Sequence, residues 1–73
     1  MNVLGTKLTQ EQLDKAVVWG CTSQGFTIGT LAEQLQRSRV PSDIAPVAAQ
    51  RLIRKWKDAS KILFTKGRWR WQK

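Results

Sequence analysis

The residues of this chain best suited to chemistry are its lysines and arginines, which crowd into the second half. The 73 residues include thirteen Lys and Arg against five Asp and Glu, for a net charge of +8. Eleven of the cations and two of the acids follow residue 36, so residues 37–73 carry +9 and residues 1–36 carry −1. A positive field on one part of a small protein favours binding to a polyanion, either a nucleic acid or an anionic membrane.

Catalytic and metal chemistry lack the residues that they require. The chain has no histidine and one cysteine, Cys21, which leaves no disulfide within the chain and argues against a structural zinc site. Glu11 and Asp14 are spaced as ordinary acids at the start of a helix, and no glycine-rich phosphate loop is present. We expect no enzyme activity, no cofactor, no metal and no small-molecule substrate. Cys21 is predicted to be a small buried apolar residue.

The start of the chain and the length of its apolar runs predict where in the cell the protein is found. Residues 1–6 lack the basic and apolar regions of a signal peptide. No apolar run approaches the roughly 20 residues that span a bilayer. These features predict a cytoplasmic protein without a membrane partner, with residues 1–73 forming one domain.

Capping residues divide residues 9–36 into two predicted helices. Thr9 and Gln12 have the spacing of a capping box, and the apolar residues after them recur at helical spacing, which predicts a helix over about 9–23. Gly25 is suited to ending it. Thr27 is suited to capping a second helix over about 28–36.

A third, basic helix is predicted over about 43–59. Ser42 or Asp43 should cap it, and Pro46 fits its first turn, where the missing N–H is not needed. One side is apolar and should pack on the other helices: Ile44, Ala45, Ala48, Ala49, Leu52, Trp56 and Ala59. The opposite side is mostly polar: Val47, Gln50, Arg51, Arg54 and Lys57.

The last segment predicts a hairpin over about 61–71. Gly67 supplies the positive φ that a tight turn needs. A period of two then puts Trp69 and Trp71 on one face and Arg68 and Arg70 on the other. We expect the tryptophans to pack against the helices; base stacking and a membrane-active segment are the alternatives.

This order of elements resembles the winged helix-turn-helix family, in which the hairpin is called the wing. Two segments carry the resemblance: residues 26–35, FTIGTLAEQL, resemble the start of a helix-turn-helix, and residues 52–63, LIRKWKDASKIL, resemble a recognition helix running into a wing strand. The turn at residues 37–41 is longer than the family's and lacks its glycine, and the wing is short. The implied fold is mainly α with a small β-hairpin, a three-helix winged helix-turn-helix.

The resemblance implies that the third helix lies in the major groove of double-stranded DNA. Its outward residues would face bases: Ser42, Asp43, Val47, Gln50, Arg51 and Arg54. Gln50 suits adenine, and Arg51 or Arg54 suits guanine. Other cations would bind phosphates: Arg37, Arg39, Lys57, Lys61, Lys66, Arg68 and Arg70.

The implied function is that of a small transcriptional or accessory regulator of a bacterial or phage type, with a homodimer possible. Two other functions remain open. The domain would instead bind an acidic protein partner through its basic face, or bind RNA or single strands through the wing.

Overall fold

The computed structural model describes residues 2–72. Over this range the chain forms three helices and two small antiparallel hairpins, so the predicted mainly α fold with a hairpin after the third helix is confirmed. The elements in order are β1 (Asn2–Val3), β2 (Thr6–Lys7), α1 (Gln10–Thr22), α2 (Ile28–Arg37), α3 (Ala45–Asp58), β3 (Ile62–Thr65) and β4 (Arg68–Trp71). None of the helices within residues 2–72 has the length and apolarity needed to cross a bilayer.

Threonine side chains start the first two helices, as the sequence predicts. The Thr9 hydroxyl accepts from the Gln12 amide at 3.1 Å, and the Thr9 amide donates to the Gln12 side chain at 3.0 Å. Thr27 forms the equivalent pair of bonds with Thr30. These bonds satisfy amides that a helix start leaves without partners, so the helix starts are encoded locally.

The start of α3 differs from the prediction. The helix begins at Ala45 after Ile44, which makes no side-chain capping bond, so neither Ser42 nor Asp43 is the cap. The carbonyl of Pro41 instead accepts from the amides of Ile44 and Ala45, at 3.0 and 2.9 Å. A backbone turn therefore replaces the predicted side-chain cap, and Pro46 still lies in the first turn.

Helices α2 and α3 end in the same backbone motif. After α2, the Val40 amide donates to the Leu35 carbonyl and the Arg39 amide to the Gln36 carbonyl, which is a Schellman motif. After α3, Lys61 and Ser60 make the corresponding bonds. The motif requires a left-handed residue, usually glycine, yet Arg39 has φ 71° and Ser60 has φ 59°.

The second hairpin is tied to the helices through Phe26. Phe26 and Trp69 exchange two backbone hydrogen bonds of 2.8 Å, so a single β-bridge joins the link between α1 and α2 to β4. The register pairs Ile62 with Trp71 and Phe64 with Trp69. These four side chains share the inner face, and the predicted separation of tryptophans from arginines agrees with this register.

The core is a single apolar cluster crossed by aromatic rings. Trp19, Phe26, Trp56 and Trp71 contact one another in succession, with centroids 5.1 to 6.0 Å apart. Val40 is buried, and none of the polar or charged residues within 2–72 is buried. Trp71 also lies against α1, where a Cβ added to Gly20 would be 3.4 Å from the Trp71 ring. The tryptophans thus join α1, α3 and the hairpin.

Three burial predictions are wrong. Cys21 is exposed, because it follows Gly20 by one residue and so lies off the face of α1 that Ala16 and Gly20 bury. Ala59 is exposed because α3 ends at Asp58, and Ile53 is buried although the sequence analysis leaves it off the apolar side.

The hairpin of β1 and β2 was not predicted. It turns at Leu4 and Gly5, which both have positive φ, and it contributes the buried Val3 to the core. Strands of two residues are too short to show a period of two, so the sequence pattern gives no signal for them.

Candidate functional site

The outward side of α3 presents four cations and one amide to solvent. Packing of Leu52, Ile53 and Trp56 on the core turns the opposite side of the helix outward. The exposed polar side chains of this surface are Gln50, Arg51, Arg54, Lys55 and Lys57. Of these residues, Lys55 is not among those that the sequence predicts on the outward side of the helix.

Val47 lies at the edge of this surface rather than within it. Its side chain is half-buried and packs against the core cluster. Ser42 and Asp43 are exposed in the turn that precedes α3. Among the residues predicted to face bases, Gln50, Arg51 and Arg54 are therefore the ones that are exposed on the helix itself.

Arg51 is held by the first hairpin. Its Nη1 donates to the backbone carbonyl of Asn2 at 3.1 Å, across a sequence separation of 49 residues. Each guanidinium has five donors, so this bond fixes the side chain and leaves donors free for another acceptor. The sequence carries no signal for this contact, because the acceptor is a backbone atom of an unpredicted hairpin.

The wing, β3 and β4, carries its cations on the outer face. The register places Leu63, Thr65, Arg68 and Arg70 on that face, and Lys66 occupies the turn in a left-handed conformation with φ 52°. The stem of Arg68 lies along the backbone of Gly25, where an added Cβ would be 3.2 Å from Arg68 Cδ. Gly25 therefore permits this close packing.

A shallow hollow of about 340 Å³ joins the end of α3 to the wing. Lys57 of α3 and Leu63 and Phe64 of β3 line it. Leu63 and Phe64 are each 54% exposed, and the Phe64 ring stacks edge-on against Trp69 at 5.0 Å. The sequence pattern does not single out this exposed aromatic ring, which shares the hollow with one cation, Lys57.

Arg37 and Arg39 lie beside the start of α1. They line a hollow of about 390 Å³ together with Glu11, Gln12 and Lys15. The Gln12 side chain donates to the Ser38 carbonyl at 2.8 Å and so fixes the turn against α1. These two arginines form a second basic group, next to an acidic residue.

The cations of α3 and the wing have no carboxylate partners within the described range. The one ion pair found in residues 2–72 joins Lys15 to Glu11 on α1, at 3.2 Å. The field of Arg51, Arg54, Lys57 and the wing is thus not neutralised by contact with acids. Within the same range no three His, Cys, Asp or Glu side chains gather as metal ligands would.

Comparison with known protein families, curated proteins and solved structures finds no match.

Proposed function

We propose that this chain is a winged helix-turn-helix domain that binds double-stranded DNA, with α3 in the major groove and the wing on the backbone. The observation that carries the proposal is the unpaired set of cations on the outward side of α3 and the outer face of the wing. Phosphates would be the natural partners of these groups, because a lysine or arginine that neutralises a DNA phosphate releases counterions condensed on the DNA.

The order of elements supports the same proposal. Helix α1, the β-bridge at Phe26, helices α2 and α3 and the hairpin β3–β4 follow one another in the order of the family that the sequence resembles. The hairpin β1–β2 is an addition to that order. A small transcriptional or accessory regulator is the function that such a domain would serve.

The base-reading group in this proposal is Gln50, Arg51 and Arg54. Gln50 would bind the edge of adenine, and an arginine the edge of guanine. Arg51 would act from a fixed position, since its bond to Asn2 limits its freedom before DNA arrives. Ser42, Asp43 and Val47 would make smaller contacts at the start of the helix.

A salt titration of binding to random and selected duplexes tests the proposal. With about six phosphates contacted, log K should fall against log salt with a slope of about −5. Replacing both Arg51 and Arg54 by alanine should nearly abolish binding. Arg54→Lys is the matched control, because it keeps the positive charge and removes the guanidinium; it should leave the salt slope nearly unchanged and lower only the preference for the selected duplex. Absence of duplex affinity at low salt would refute the proposal.

A second candidate function is single-strand or RNA binding through the wing. The exposed Phe64 ring favours it, because an exposed aromatic face that shares a hollow with a cation, here Lys57, can stack on a base. Phe64→Leu keeps an apolar side chain and removes the stacking face. If single strands bind more tightly than duplexes and this substitution weakens them selectively, the second function replaces the first.

A further inference from the structure

The outward side of α1 has an apolar surface that the proposed DNA interface does not use. Val18 is 62% exposed and Trp19 is half-buried. Both line an open hollow of about 640 Å³, together with Lys15 and the α2 residue Gln34. A single exposed valine is ordinary, but an adjoining indole enlarges the apolar surface.

This surface points away from α3. The Trp71 ring lies between the two helices, next to Gly20 of α1 and 5.1 Å from the Trp56 ring of α3. The outward side of α1 is the side remote from Trp71. A molecule bound there would leave the cations of α3 accessible.

Charge decides which occupant fits. The chain carries +8, and residues 37–73 carry +9 of it, so two copies that met through their basic halves would repel each other. The α1 surface carries both signs, with Glu11, Asp14 and Lys15, so two such surfaces meet without an excess of either. We propose that two copies of this chain associate through the α1 surface, centred on Lys15, Val18 and Trp19.

Gln34 gives this surface a further reason to bind a partner. Its Nε2 donates to the Ser38 hydroxyl at 3.1 Å, but its Oε1 is buried and accepts no bond from residues 2–72. A buried acceptor without a donor is destabilising. A donor of the second copy that reached this oxygen would remove that penalty.

The expected dimer is weak. Helix α1 has 13 residues and is therefore about 20 Å long. A contact along one such helix buries less than the roughly 800 Å² per partner of a standard interface. We expect dissociation in the micromolar range or above.

Sedimentation equilibrium over a wide range of protein concentration tests the inference. The mass should rise from 8.3 kDa towards twice that value. Val18→Asp should abolish the rise, because it puts a charge into the apolar contact. Leu4→Asp is the matched control, since Leu4 is similarly exposed, at 64%, and lies in the first hairpin. Circular dichroism on both variants shows whether each is folded.

Salt gives an independent readout. Screening the repulsion between two bodies of charge +8 should strengthen the dimer as salt rises, because the Debye length falls from about 30 Å at 0.01 M to about 8 Å at 0.15 M. Weakening by salt would show the acids of one copy bound to the basic half of another, which contradicts the inference. A mass of 8.3 kDa at all concentrations, or a folded Val18→Asp variant that still dimerises, also overturns it. DNA binding by the same variant, measured at low protein concentration, reports on the proposed function separately.

Discussion

Arg39→Gly should stabilise the protein and, if Arg39 is one of the phosphate contacts that the resemblance implies, weaken the proposed binding to DNA. Arg39 holds the left-handed position of the Schellman motif after α2, with φ 71°. A left-handed conformation costs a residue with a Cβ about 1–2 kcal/mol, and glycine avoids this cost. Part of the gain is lost, because glycine has more conformational freedom in the unfolded chain and loses it on folding. The expected net gain is about 1 kcal/mol, which corresponds to a rise in Tm of about 4–8 °C for a domain of this size.

The loss of binding follows from the charge. If Arg39 contacts one phosphate, its removal makes the salt slope less negative by about 0.9, and the affinity at 0.1 M salt falls roughly eightfold. Arg39 is exposed, so little packing is lost. Thermal unfolding followed by circular dichroism and a salt titration by fluorescence anisotropy give the two quantities on one sample.

Ser60→Gly is the matched control. Ser60 holds the same position in the motif after α3, with φ 59°, but it is uncharged. Its replacement should raise Tm by a similar amount and leave the salt slope unchanged. If neither variant gains stability, the strain argument is refuted; if the two variants bind DNA with equal slopes, Arg39 does not contact phosphate.

Three further changes test other parts of the structure. Gln50→Ala should lower the affinity for a selected duplex by about 1–3 kcal/mol and leave random duplexes unaffected, as competition binding would measure; an equal loss on both would exclude base reading by Gln50. Trp71→Ala should lower the free energy of unfolding by about 3 kcal/mol in urea denaturation, because the ring packs on Trp56; a loss below 1 kcal/mol, as for an ordinary surface change, would contradict that role. Leu4→Asn should raise stability by about 0.5–1 kcal/mol in the same assay, since asparagine suits the left-handed first position of the turn and Leu4 has φ 49°; a fall would show that Leu4 packs usefully.

The features that the sequence predicts correctly are those encoded within a few residues. The hydrogen bonds of the Thr9 and Thr27 caps span three positions, and the period of two in the wing needs only adjacent residues. Such signals depend on side chains and backbone within a few positions, so they survive in the folded protein.

The features that the sequence does not predict depend on distant or backbone partners. Helix α3 starts late because the Pro41 carbonyl replaces a side-chain cap. Cys21 fits the size of a core residue, but it lies off the face of α1 that Ala16 and Gly20 bury. The bond from Arg51 to Asn2 joins residues 49 positions apart, which no local rule connects.

Rigid support of the wing matters for the proposed interface. A hairpin of two four-residue strands is marginal in water by itself. Two backbone bonds from Phe26 to Trp69 and the packing of Trp71 between Gly20 and Trp56 hold it against the helices. The cations on its outer face are therefore fixed relative to those of α3 before any ligand binds, which lowers the entropy lost on binding. For this reason, a substitution that loosens Trp71 should weaken DNA binding even though the ring itself lies on the inner face.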